Sequence, residues 1–425
     1  MPSAIFNSLG SNYSEEMIRL VSSFKKHPTK KQHELEQDLK ERLGNHFAGD
    51  VILTYKGRDA IELVLRPLAE SNVQQAILTQ GLACHAIEEG IVRAGLLPIY
   101  VDLEKNSISP SVKTLEEGMK RANEVGAIVT AVFLQHTLGY ANPVSDIVAF
   151  CKAHDLLLIE DLAQSFGAFD QEGLELAMSA DAVICSFGRD KVLDAVSGGA
   201  VIFKKKYWDQ VGANSSEWLP QLQPREYPPS SVVKKELLYP EITSMIQNTY
   251  DVGIGKLMFK LAKAFGVLTS PISTPLAYPS TLPAAYISLV LWQLDHLEDQ
   301  LKHRRQIADI YIHALQHCPG VKCLALPERI NTDIHLRLPL LFDDPQNLDQ
   351  VIRRATSENI HITDRWYRAV VDSGSLNYVS IYQVGECPNA ESVASRLLNL
   401  PTHVKILPGD AQRVSQIILE VMSNS

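Results

Sequence analysis

The chain has 425 residues, of which 45% are hydrophobic and 21% charged, with a formal net charge of -9. That length exceeds one small core and predicts two or three units of about 100–200 residues each. The negative balance leaves no electrostatic footprint for a polyanion, so nucleic acid is not an expected partner. Cys84, Cys151, Cys185, Cys318, Cys323 and Cys387 form no CxxC pair and no metal-ligand spacing with histidine. A reduced, cytoplasmic chain without a bound metal is therefore expected. The opening MPSAIFNSLGSNYSEEM lacks a basic stretch followed by an apolar core, and no uncharged apolar run reaches about 18 residues. Neither a signal peptide nor a membrane span is expected.

Residues 14–46 read as polar helix, with Glu34, Asp38, Lys40 and Glu41 on a solvated face. From about 50 to 205, apolar strand-like runs alternate with amphipathic ones: Val51–Tyr55, Ala76–Thr79, Pro98–Val101, Ala127–Leu134, Leu156–Ile159, Ala182–Cys185 and Gly199–Phe203. Ala60, Ile61, Val64, Leu65 and Leu68 lie between the first two at helical spacing. Strands apolar on both faces, separated by helices, predict an α/β fold with a mainly parallel sheet of seven strands and helices on both faces. Ligands bind such sheets beyond the carboxyl ends of the strands.

After Phe203 the alternation stops. Residues 205–280 are rich in proline and hold no clear strand, so they read as a helical insertion. Within it Ile254, Leu257, Met258, Leu261, Phe265 and Leu268 make an apolar stripe beside Lys256, Lys260 and Lys263. Such a helix is expected to cover core or a subunit interface; a lid over substrate, or peripheral contact with a membrane or lipid-linked sugar, are the alternatives. One long charged helix is expected from Pro283 to Leu315. Short strands (His335–Leu341, His361–Ile362) and a closing helix (Asp410–Met422) then predict a smaller α+β domain. The expected divisions are 1–204, 205–280 and 281–425.

Three strand ends carry polar groups. LLLIED ends in Glu160 and Asp161, followed by Gln164; AVICSFGRDK carries Ser186 and Lys191; VILTYKGRDA carries Gly57 and Arg58 at a helix start. Singly these are a helix cap, a surface lysine and a turn glycine. Together they supply an amine, a carboxylate and a helix N-terminus, which a phosphate-bearing, electron-sink cofactor requires.

The combination resembles the DegT/DnrJ/EryC1/StrS family, the sugar aminotransferases of the aspartate-aminotransferase fold. NSLGSNYSEEM is similar to the family's opening segment, GRDAIELVL to its phosphate-loop helix and HTLGYANPVSDIVAFCKAHDLLLIEDLAQSFGA to its core segment. SFGRDKVLDAVSGGAVIF is similar to its lysine segment, QLDHLEDQLKHRRQIADIYIHAL to the helix that follows and CPNAESVASRLLNLPTH to its C-terminal signature. The resemblance implies a pyridoxal 5'-phosphate transferase of fold type I, with Lys191 as the Schiff-base lysine and Asp161 against the pyridine nitrogen. It further implies Gln164 near the ring hydroxyl and Ser186 with Gly57 at the phosphate. His85 or Cys84 would stack on the ring, with His85 favoured for its planarity. Arg365, Trp366 and Tyr367 in HITDRWYRA are candidates to read the substrate, with interdomain packing as the alternative.

The implied activity moves an amino group from an amino acid, glutamate by expectation, to a keto-sugar, nucleotide-linked by expectation, in a homodimer. Another sugar-modifying reaction on the same cofactor, or a non-catalytic regulatory or binding role, is the alternative; the family's dehydratases carry histidine where this chain has Lys191. Two departures stand out. The usual Ser-Gly-Thr of the phosphate loop is Lys56, Gly57 and Arg58, and the Asn and Arg or Lys normally given by a partner subunit read Pro279 and Thr281. Arg58 is expected to compensate as a charged fork to phosphate, the alternative being that it faces solvent.

Overall fold

A computed structural model describes residues 3–26, 31–69, 73–268, 278–363, 365–373 and 378–424. The end of the insertion, 269–277, and Asp364 of the HITDRWYRA segment lie outside the described residues. Seven strands form the central sheet: β2 (Gly49–Thr54), β3 (Gln75–Gln80), β4 (Leu97–Val101), β5 (Ile128–Gln135), β6 (Leu157–Asp161), β7 (Ala182–Ser186) and β8 (Gly199–Lys204), in the order β2-β8-β7-β6-β5-β3-β4. All pairs are parallel except those of β8, which runs antiparallel to both β2 and β7.

Side-chain alternation explains why these strands read as continuous apolar runs. In β7, Ala182 and Ile184 join one hydrophobic cluster while Val183 and Cys185 join the other; in β8, Val201 and Phe203 oppose Ala200 and Ile202. Each strand is buried on both faces, which only a helix-covered sheet permits. On one face lie α3 (Gly57–Leu65) and α4 (His85–Arg93), whose Ile61, Val64, Ile87 and Ile91 fill that cluster. The opposite face carries α1 (Glu15–Lys26), α2 (Gln32–Phe47), α5 (Val112–Glu124), α6 (Val144–Ala153) and α12 (Ala284–Asp295).

The smaller unit is an antiparallel sheet of β9 (Val321–Cys323), β10 (Arg337–Phe342) and β12 (Leu397–Pro401), packed by α13 (Leu297–Leu315), α14 (Pro345–Ser357), α15 (Pro388–Arg396) and α16 (Pro408–Ser423). The chain's start belongs with it in space, because β1 (Ile5–Phe6) pairs in parallel with β11 (Ile360–His361). The single helix expected from Pro283 to Leu315 is two helices. His296 at φ −116° breaks it, and its Nδ1 hydrogen-bonds to the Trp292 carbonyl at 2.8 Å.

The insertion is helical throughout its described part: α7 (Lys205–Val211), α8 (Ser215–Leu222), α9 (Ser230–Glu236), α10 (Tyr239–Asn248) and α11 (Ile254–Ala264). Its amphipathic helix does not lay the whole stripe on core. Gly255, Met258, Phe259 and Ala262 form the inward side, whereas Ile254, Leu257, Leu261 and Phe265 (75% exposed) face outward. The reason is Gly255, where a Cβ would fall 2.2 Å from the Ile246 carbonyl oxygen: the missing side chain lets α11 lie on α10 and turns the stripe away. No helix among the described residues is long and apolar enough to cross a membrane.

Candidate active site

The carboxyl ends of β2, β5, β6 and β7 open on a cavity of about 640 Å³. Gly57, Arg58, Cys84, Asp161, Gln164, Ser186, Lys191, Arg365, Trp366 and Tyr367 all line it. Strand register brings the first of these together. Asp161 ends β6 opposite Ile184, and Ser186 lies two residues further along β7. Ser186 is paired with Gly199, and Gly199 sits against the start of α3: a Cβ on Gly199 would lie 2.7 Å from the Gly57 Cα. A Cβ on Gly57 would meet the Ser186 Oγ at 2.9 Å. Glycine at these two points lets a helix N-terminus and a hydroxyl share one corner, a ready site for an anion.

Asp161 is buried, and its Oδ1 accepts from the Ala163 N–H at 2.9 Å. Burial pushes its carboxyl above the ordinary range, against that hydrogen bond, the Lys191 ammonium and His136, which pull it down. The group therefore lacks a cationic partner strong enough to offset desolvation, and a protonated ring nitrogen would supply one. Gln164 lines the cavity; its Oε1 accepts from the Leu138 N–H at 2.6 Å, and its Nε2 donates to the Tyr367 hydroxyl. That hydroxyl also accepts from Gln135 Nε2 at 3.1 Å.

The remaining residues singled out in the sequence are placed as follows. His85 does not line the cavity; its ring lies 4.6 Å from that of Tyr378, and its backbone N–H donates to the Asp372 carbonyl at 3.1 Å. Cys84, in extended conformation at the cap of α4, lines the cavity, within the field of Lys191 and Asp161. Arg58 is only 7% exposed and does not face solvent; its Nη1 pairs with Glu89 at 2.6 Å. Arg365 and Tyr367 are held by packing: Arg365 Nη1 donates to the carbonyls of Ala394 (3.1 Å) and Leu397 (2.7 Å), while Tyr367 is locked by the two glutamines. Trp366 has the Lys191 Nζ 4.9 Å from its ring centre on the cavity side, and the Arg337 guanidinium at 4.0 Å.

Sequence reasoning missed the residue that shapes the lysine loop. Asp194, fully buried, accepts from Tyr13 OH, Asn12 Nδ2 (3.2 Å), Asp190 N (2.9 Å) and Val196 N (3.1 Å). Its own backbone is gripped by Gln293, through Asp194 N to Oε1 (2.8 Å) and Nε2 to the Asp194 carbonyl (2.7 Å). Asn12 also donates to the Lys191 carbonyl at 3.2 Å and accepts from Arg304 Nη2 at 2.9 Å. These contacts hold Asp190 in the left-handed region (φ 62°), one residue before Lys191. No spacing in the sequence points to partners at positions 12, 13 and 293.

An electron-sink cofactor fits this donor set: a half-buried amine, a buried carboxylate raised by desolvation, and a glycine-floored anion corner. Fold and cavity define a pyridoxal-phosphate-dependent transferase of fold type I. The model of the DegT/DnrJ/EryC1/StrS aminotransferase family matches residues 10–211 and 264–419, leaving most of the insertion unmatched. The chain belongs to this aminotransferase family. It is 22% identical to dTDP-4-amino-4,6-dideoxy-D-glucose transaminase of Shigella dysenteriae over 91% of this chain and 89% of that one. It is likewise 22% identical to the putative pyridoxal phosphate-dependent aminotransferase EpsN of Bacillus subtilis, over 85% and 77%. Among solved structures it superposes on the putative sugar aminotransferase Spr1654 of Streptococcus pneumoniae in its PMP form, with a TM-score of 0.70 at 16% identity, covering 100% of this chain and 99% of that one.

Proposed function

We propose that this chain transfers an amino group from an amino acid, glutamate as donor, to a keto-sugar carried on a nucleotide. The observation that carries the reading is the convergence of Lys191, Asp161, Ser186, Gly57 and Cys84 on one cavity. The names of its relatives support the substrate class, since they include a dTDP-amino-sugar transaminase and GDP-perosamine synthase of Vibrio cholerae.

When bound, pyridoxal phosphate supplies an electron-withdrawing ring that accepts charge from the donor's α-carbon. Asp161 would face the ring nitrogen and keep it protonated. Ser186, the N-terminus of α3 and Arg58 would take the phosphate, and Cys84 would lie against the ring. Lys191 Nζ would anchor the cofactor; once freed by the donor, its amine would carry the proton from the donor's α-carbon to C4′ of the cofactor, and in the opposite sense for the acceptor. Trp366 lies beside that nitrogen, 4.9 Å from its ring centre.

Two measurements test the reading. Borohydride reduction followed by peptide mapping should place the pyridoxyl group on Lys191, and Lys191→Ala should abolish it. The pyridoxamine-phosphate form, given a panel of nucleotide-linked keto-sugars, should return an aminated sugar and the pyridoxal form. A pyridoxyl group trapped on another lysine, or glutamate turnover without any sugar acceptor, would overturn it.

A further inference from the structure

Residues 365–372 are fastened at both ends and open in the middle. Toward the smaller sheet, Arg365 Nη1 is held by the Ala394 and Leu397 carbonyls, and the Asn399 side chain brackets the Trp366 backbone. Asn399 Oδ1 accepts from the Trp366 N–H at 3.3 Å and from Arg337 Nη1 at 3.0 Å, while its Nδ2 donates to the Trp366 carbonyl at 3.0 Å. Toward the central sheet, Val371 N donates to the Gly81 carbonyl (3.0 Å), Asp372 N to that of Ala83 (2.8 Å), and the backbone N–H of His85 to that of Asp372 (3.1 Å). The buried Tyr367 is tied through its hydroxyl to Gln135 and Gln164.

These ties hold two non-glycine residues, Tyr367 (φ 61°) and Val371 (φ 50°), in left-handed backbone. Such conformations persist only where the surroundings over-determine them, and they gather at ligand clamps. Between the two stand Arg368 and Ala369, both exposed. Arg368 lines the cavity while open to solvent, so it stands at the mouth. Its backbone N–H closes the turn on Asp372 Oδ2 at 3.0 Å, and its guanidinium has no hydrogen bond or ion pair among the described residues. Two residues earlier, Trp366 lies against the Lys191 Nζ. One rigid turn thus sets an indole beside the reactive amine and a guanidinium at the entrance.

We propose that Arg368 binds the diphosphate of the sugar's nucleotide carrier, while the sugar lies along Trp366 with its keto carbon toward Lys191. This rests on the reading that the acceptor is a nucleotide-linked keto-sugar, and it names the group that recognises the link. A guanidinium offers phosphate a planar, two-pronged fork that a neutral side chain cannot. The amino donor is short and must bring its α-carbon to Lys191, which keeps it inside the cavity. A charge at the mouth matches the longer substrate.

The test titrates the pyridoxamine-phosphate form with thymidine, uridine and guanosine diphosphates and with the matching nucleosides, by calorimetry. Wild type should prefer one diphosphate over its nucleoside; Arg368→Gln should weaken that diphosphate about 10-fold and leave the nucleoside within about twofold. The difference should shrink as salt is raised. Arg368→Lys should recover part of the loss, and Arg353→Gln, which removes an exposed charge from α14 instead, should change neither ligand. Trp366→Leu should leave diphosphate affinity within about twofold and raise the half-saturating concentration of the keto-sugar substrate; a lost diphosphate affinity there would refute the division between sugar and carrier. If wild type binds a diphosphate and Arg368→Gln binds it equally, the role of Arg368 fails while the transaminase reading stands. If wild type prefers no diphosphate to its nucleoside, the nucleotide-linked substrate fails with it. In the two half-reactions followed by cofactor absorbance, the defect of Arg368→Gln should fall on the sugar step, as a raised half-saturating concentration at an unchanged maximal rate. A defect confined to the glutamate step would give Arg368 to the donor's carboxylate and overturn the proposal.

Discussion

The contact between Gly199 and Gly57 sets the position of the whole anion corner, and Gly199→Ala tests it. The added Cβ would lie 2.7 Å from the Gly57 Cα, 3.0 Å from its nitrogen and 3.1 Å from the Cys185 carbonyl oxygen, all backbone atoms. Carbon atoms rest at about 3.5–4.0 Å, so the start of α3 must retreat by about 1 Å. Overpacking of this kind costs about 1–3 kcal/mol of stability, and a shift of about 1 Å at a binding group can cost about 100-fold. Gly57→Ala is the control. Only one atom lies within 3 Å of its Cβ, the Ser186 Oγ at 2.9 Å, and that hydroxyl can rotate away. Titrating the cofactor-free protein with pyridoxamine phosphate, with urea unfolding run in parallel, should rank affinity as wild type, then Gly57→Ala, then Gly199→Ala. If Gly199→Ala binds as tightly as wild type while folding normally, the corner is not set by this contact and the reasoning fails.

Two further outcomes follow from buried groups. Asp194→Asn should place an amide N–H against donors from Asn12 and Asp190, costing about 2–4 kcal/mol and lowering pyridoxyl trapping on Lys191; unchanged trapping would show that the loop holds itself. Burial lowers His335 from 6.5 to about 4 and His403 to about 3. A histidine held neutral when folded binds fewer protons than when unfolded, so stability is present above about pH 6.5 and is lost as pH falls toward 4. His335 alone should account for about 3 kcal/mol at pH 4, read from urea midpoints across that window; replacing it with a neutral residue should flatten the slope.

The seven strands were legible because each is apolar on two faces, and their observed limits fall within a few residues of the sequence reading. The strand ends carried Asp161 and Ser186 to the cavity for the same reason. What stayed hidden depends on partners distant in sequence. The placement of His85 outside the cavity lining is tied to Tyr378 and Asp372, almost 300 residues on. The outward turn of the α11 stripe follows from one glycine approaching a carbonyl of α10. The break at His296 leaves no mark in a stretch whose composition suits helix on both sides.

The knot around Asp194 has a consequence for how the protein is made. The turn bearing Lys191 is fastened by Asn12 and Tyr13 from the first residues and by Gln293 much later, and Arg304 in turn clamps Asn12. A ribosome delivering this chain exposes the sheet strands long before those last fasteners emerge. Vitamin capture is therefore a late event in synthesis, and a nascent chain stalled ahead of Gln293 should carry a formed sheet that cannot yet retain its coenzyme.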